Sequence, residues 1–113
     1  MARPPVVQPA PRRGDLWLAE MDKRRPVVVL TRDPLARMLS SVIVGPVTST
    51  IRGLTTEVEL SEADSVRRRS VVNLDNLQLL ARDRLVRKVG KVEPATLDRI
   101  CAAAAEAIGC PGH

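Results

Sequence analysis

Only one stretch of this chain has the pattern of a long helix, and it comes at the end. From Pro94 to about Ile108, the residues Leu97, Ile100, Cys101, Ala104 and Ile108 recur at helical spacing on one face, with Pro94 suited to the first helical position. Everything before it is cut into short apolar or alternating runs at 15–21, 25–31, 41–48, 55–60, 70–75, 77–81 and 86–92. The breaks between them are short: Asp22-Lys23-Arg24 fits a hairpin loop, Asp33-Pro34 opens a turn or short helix through Leu39, Gly53 marks a turn, and Arg82–Leu85 makes another. A proline has no amide to give a ladder, so Pro46 inside the third run predicts an edge position or a bulge. Many short strands closed by one helix predict a mainly β fold of the α+β class, a small SH3-like barrel.

A chain of 113 residues is in the range of one domain and buries roughly two-thirds of its unfolded surface on folding, enough for a core without metal or disulfide. Residues 1–12 carry Pro4, Pro5, Pro9 and Pro11 with no apolar period and are expected to be a disordered leader. The domain is expected over 13–110, with 111–113 as a tail. Ser61 to Arg69 is polar and contains Arg67-Arg68-Arg69, which reads as a solvated loop.

Lysine plus arginine exceed aspartate plus glutamate by 18 to 13, which favours anionic partners such as nucleic acid or an acidic protein segment. The excess is nearly all arginine, since Lys23, Lys88 and Lys91 are the only lysines, and arginine suits bidentate contacts to phosphates and base edges. Trp17 is the sole aromatic residue, so a base-stacking platform is excluded and any RNA must be read by arginine planes and hydrogen bonds. As a large ring in a small domain, Trp17 is expected in the core or an interface. If Cys101 and Cys110 share the helix they lie roughly 13 Å apart, too far to pair. With His113 the one histidine and no paired Cys motif, no metal site and no cofactor are expected. The absence of a signal-peptide pattern or a bilayer-length apolar run points to a cytoplasmic protein with no membrane partner.

The chemistry concentrates in four segments. Arg24-Arg25-Pro26-Val27-Val28-Val29-Leu30-Thr31 brings two guanidinium groups to the mouth of a buried strand, and Val42-Ile43-Val44-Gly45-Pro46-Val47-Thr48-Ser49-Thr50 ends a second strand in three hydroxyls. Arginines and hydroxyls at strand ends suit an anion such as phosphate. With Arg13-Gly14-Asp15-Leu16-Trp17 in front and Ser70-Val71-Val72-Asn73-Leu74-Asp75-Asn76-Leu77 behind, the chain from Arg13 to Gly109 resembles the MazF/PemK family of toxin endoribonucleases.

That resemblance implies a CcdB/PemK-like barrel, a homodimer, and cleavage of single-stranded RNA within short sequence motifs without metal. It also implies inhibition by an acidic, MazE-like antitoxin whose disordered tail fills the RNA groove. The family's catalytic arginine and threonine fall on Arg25 and Thr48. Arg24, Ser49, Thr50, Asp75, Asn76 and Gln78 become candidate RNA-binding residues, Asn76 and Gln78 because an amide can read a base edge. The chain departs from the family before Arg25, where only Asp22-Lys23-Arg24 stands in place of a longer loop, so no glutamate of that loop carries over.

RNA holds its own nucleophile in the 2′-hydroxyl, so cleavage needs in-line alignment, a proton acceptor and charge stabilisation at phosphorus. Two other functions fit the same barrel: a CcdB-like gyrase-targeting toxin acting through its C-terminal helix, and a non-catalytic module that binds RNA or antitoxin. Arg25 together with Thr48 favours the nuclease.

Overall fold

The computed structural model describes residues 10–109; residues 1–9 of the leader expected over 1–12, the tail over 111–113 and Cys110 lie outside them. Seven strands precede the long helix: β1 (Asp15–Glu20), β2 (Arg24–Val29), β3 (Ser41–Thr48), β4 (Glu57–Leu60), β5 (Ser70–Asn73), β6 (Gln78–Ala81) and β7 (Leu85–Lys91). A short helix α1 (Leu35–Met38) lies between β2 and β3, and α2 (Pro94–Ala107) closes the chain. The strands form one antiparallel sheet in the order β4-β5-β3-β2-β1-β7, with β6 also on β3. The mainly β architecture with one closing helix is as the sequence predicts. Residues 11 and 12, expected to belong to the leader, are tied down: Pro11 is buried and Arg12 N–H donates to Asp15 Oδ2 at 2.8 Å.

Alternation along the strands sorts the side chains into two cores. Leu16, Val28, Val47, Val58, Leu60, Val72 and Leu74 face α2, which meets them with Ile100 and Ala103. Trp17, Ala19, Val27, Val29, Val42, Val44, Leu80 and Leu85 fill the other side. Trp17 is only 1% exposed, and its Nε1 donates to Asp15 Oδ2 at 3.4 Å, so the sole aromatic ring is a core residue. The buried face of α2 is narrower than the sequence suggests. Ile108 is exposed, because the helix ends at Ala107 and the chain turns away through Gly109 at φ +78°.

Pro46 corrects the expectation of an edge strand, since β3 is central and pairs Pro46 with Val27. β3 gives its first half, Ser41–Val44, to β6 and its last residues, Val47 and Thr48, to β5. Pro46 falls in the gap between those two ladders, where a missing amide costs no partner. Gly45 beside it lets β5 approach: a Cβ there would come within 2.9 Å of Val72 Cγ1. Asp75 is another difference at an element end, lying in a 3-10 turn, Leu74–Asn76, and not in the strand expected over 70–75.

The segment 61–69 is anchored, not simply solvated. Its 3-10 turn Glu62–Asp64 buries Asp64, whose carboxylate accepts from Ser61 N at 3.0 Å, Ser61 Oγ at 3.2 Å and Glu93 N at 2.8 Å. Burial by itself would raise this carboxyl's pKa, but the Glu93 and Ser61 amides and the Thr96 and Ser61 hydroxyls outweigh it and hold it below the ordinary value. Because the folded pKa is depressed, the stabilisation is fully present above the unfolded value of about 3.9 and is lost as pH falls through the folded value. Asp64→Asn should therefore cost about 1–3 kcal/mol at neutral pH by leaving donors poorly matched. Urea midpoints of wild type and variant should differ by a constant amount from pH 7 to about 5, and the difference should shrink progressively as pH falls below about 4; a difference that does not shrink on acidification would contradict this assignment.

Candidate functional site

Arg25 and Arg24 are neighbours on β2 and so point to opposite faces. Arg24 pairs with Glu20, its cross-strand partner, with Nε to Oε2 at 2.7 Å, both side chains largely exposed. Arg25 turns toward the Trp17 side of the sheet, where it lines an open cleft of about 550 Å³ with Asp22, Pro46, Asn76, Gln78 and Arg84. Its Nε lies 3.6 Å from Asp22 Oδ1, beyond hydrogen-bond range, and is buried with no hydrogen-bond partner among the described residues. A buried guanidinium nitrogen that the fold leaves unpartnered is costly, and a bound anion would satisfy it.

Thr48 is positioned by β3. Continuing the β2–β3 register of Val27 with Pro46 by two residues sets Arg25 opposite Thr48, but the ladder stops at Val27 and Thr48 pairs with Val71 of β5 instead. Thr48 and Ser49 line a second cleft of about 410 Å³ with Pro26, Arg67, Arg68 and Ser70. The two predicted catalytic residues thus line different clefts, which draw on neighbouring residues of the same strands, Arg25 and Pro26 of β2 and Pro46 and Val47 of β3. The Thr48 hydroxyl accepts from Thr50 N–H at 3.1 Å, which fixes its oxygen and leaves its own proton free to donate. The loop beyond is held by the Glu57 carboxylate, which accepts from Leu54 N–H at 3.0 Å and Arg52 N–H at 3.0 Å. These backbone bonds, Leu54's foremost, keep the Glu57 carboxyl below its ordinary pKa.

The other candidates divide. Asn76 and Gln78 are exposed and share the cleft with Arg25. Thr50 contributes its amide to Thr48, and Asp75 accepts from the Thr56 hydroxyl while its N–H donates to Asn73 Oδ1 at 3.0 Å, an arrangement that shapes the turn carrying Asn76. Thr50, Asp75 and Arg24 line neither cleft.

Two residues on the Arg25 cleft escape a reading by sequence. Asp22 is the only carboxylate lining it, placed there by the shortness of the β1–β2 hairpin, where Met21 N donates to Lys23 O at 3.2 Å. Arg84 arrives from the 3-10 turn Arg82–Arg84, whose first arginine is used up on the carbonyls of Arg37 and Leu39. The local signal for Arg84 was only a charged turn; the pairing of β6 with β3 is what delivers it.

Comparison with known proteins identifies the family. The PemK-like, MazF-like toxin family of type II toxin–antitoxin systems matches residues 12–108. A curated relative, the probable endoribonuclease MazF5 of Mycobacterium tuberculosis, is 42% identical over 103 residues, 88% of this chain and 94% of that protein. Among solved structures, the M. tuberculosis toxin MazF-mt6 superposes with a TM-score of 0.81 at 33% identity, covering 86% of this chain and 98% of its own. A mycobacterial endoribonuclease in complex with its cognate antitoxin gives 0.84 at 30% identity, covering 92% and 100%. The chain belongs to the MazF/PemK family of type II toxins.

Proposed function

We propose that this protein is a sequence-specific endoribonuclease toxin that cuts single-stranded RNA in the cytoplasm by attack of the 2′-hydroxyl, without metal, and thereby arrests translation and growth. The observation that carries the reading is the unpartnered, buried Nε of Arg25 at the mouth of a cleft that also holds Arg84, in a chain of this family. The scissile phosphate lies between Arg25 and Thr48. In-line attack forms the O2′–P bond and breaks P–O5′, leaving a 2′,3′-cyclic phosphate and a 5′-hydroxyl. The 2′-hydroxyl proton passes to Asp22 and the departing O5′ takes one from water. Arg25 and Arg84 neutralise the nonbridging oxygens, and the Thr48 hydroxyl donates to the same phosphate. Asn76 and Gln78 read base edges beside it.

The toxin acts as a homodimer, supported by apolar side chains left uncovered on the sheet. Ile43 and Leu79 face one another across the β3–β6 ladder and are 44% and 73% exposed, and Met38 on α1 is 72% exposed. Its controlling partner is an acidic, MazE-like antitoxin whose tail orders on binding and competes with RNA for the basic clefts. Incubating purified protein with a long RNA in EDTA tests the enzyme: discrete fragments are expected, and intact RNA would overturn the reading. Light scattering at micromolar concentration should give twice the chain mass; a monomer would remove the dimer.

A further inference from the structure

We infer that the cleft on the Thr48 side is a second phosphate subsite for the RNA, in which Arg67 and Arg68 hold a phosphodiester next to the one that is cut. This deepens the nuclease reading and depends on it. The cleft's polar lining is Arg67, Arg68 and the hydroxyls of Thr48, Ser49, Ser65 and Ser70, with no carboxylate among its residues; Ser65 and Ser70 commit their protons to Lys91 O and Arg68 O, which leaves the two arginines, Thr48 and Ser49 as donors. The Arg25 cleft, by contrast, holds Asp22. Within the run of three arginines the roles separate. Arg69 is paired with Glu59, Nε to Oε1 at 2.6 Å, whereas Arg67 and Arg68 have no carboxylate within ion-pair distance among the described residues.

Their loop is also fastened where a merely solvated run has no need to be. Asp64 ties it to the start of α2 through Glu93 N–H. Ser65, held at φ +69°, donates from Oγ to Lys91 O at 3.1 Å and accepts from Lys91 N at 3.3 Å. Gly90 leaves the room this requires, since a Cβ there would stand 2.3 Å from that of Ser65. The loop thus presents two unpaired arginines beside Thr48 with part of their ordering entropy already lost on folding. Phosphate in an RNA backbone recurs at every nucleotide, so a strand whose scissile group sits at Thr48 supplies the next anion to this cleft.

The test compares Arg67→Ala/Arg68→Ala with Arg69→Ala and wild type on a short single-stranded RNA that wild type cleaves. The double variant should keep its melting temperature and kcat while KM rises about 10-fold, the loss expected for contacts to a charged group. Its log KM should depend less steeply on log salt, by about 0.7 for each phosphate contact removed. Lysines at both positions should restore most of the slope, and Arg69→Ala should change neither quantity. Wild-type KM and salt slope in the double variant would overturn the subsite, as would RNA kinetics that stay unchanged while affinity for an acidic peptide falls. Failure of wild type to cut any RNA would instead sink the nuclease reading beneath it.

Discussion

Arg25→Ala should lower kcat for RNA cleavage on the order of 10²-fold or more while leaving the fold intact, the size expected when one preorganised transition-state donor is removed. The fold should survive because the side chain ends in a cleft and its one ion-pair partner among the described residues, Asp22, is exposed and 3.6 Å away. Removing a buried nitrogen that has no partner also relieves a desolvation cost, so the variant's melting temperature should hold or rise slightly. Arg25→Lys should not rescue fully, because a point charge lacks the planar fork that meets two phosphate oxygens at once. Thr48→Val keeps the strand's shape, removes the hydroxyl and should slow the same step. Single-turnover cleavage at saturating enzyme reads all three; a wild-type rate for Arg25→Ala would place the chemistry elsewhere.

The strand pattern was legible because the core is two-sided and the alternation is clean: Leu16 and Val28 face α2 while Trp17, Val27 and Val29 face the other way. The cleft holding Arg25, Asn76 and Gln78 was legible in part and only through the family resemblance, which nominated each residue; turn chemistry alone does not bring them together. Three features were not. Asp64 looks like one more acid in a polar loop, and its burial depends on Glu93 and Thr96, which are distant in the chain. Pro46 argues against a central strand until β3 is seen to change partners there. Arg84, and the separation of Arg67 and Arg68 from Arg69, follow from pairings between strands that composition does not display.

The central claim is that the substrate's own 2′-hydroxyl does the cutting, with this protein supplying alignment and charge. The most direct measurement uses one RNA oligonucleotide with a mapped cleavage site and a second in which only the ribose on the 5′ side of that bond is deoxyribose. Cleavage at that bond should vanish in the second, and the products of the first should end in a 2′,3′-cyclic phosphate and begin with a 5′-hydroxyl. Continued cutting at the deoxyribose position would contradict the account.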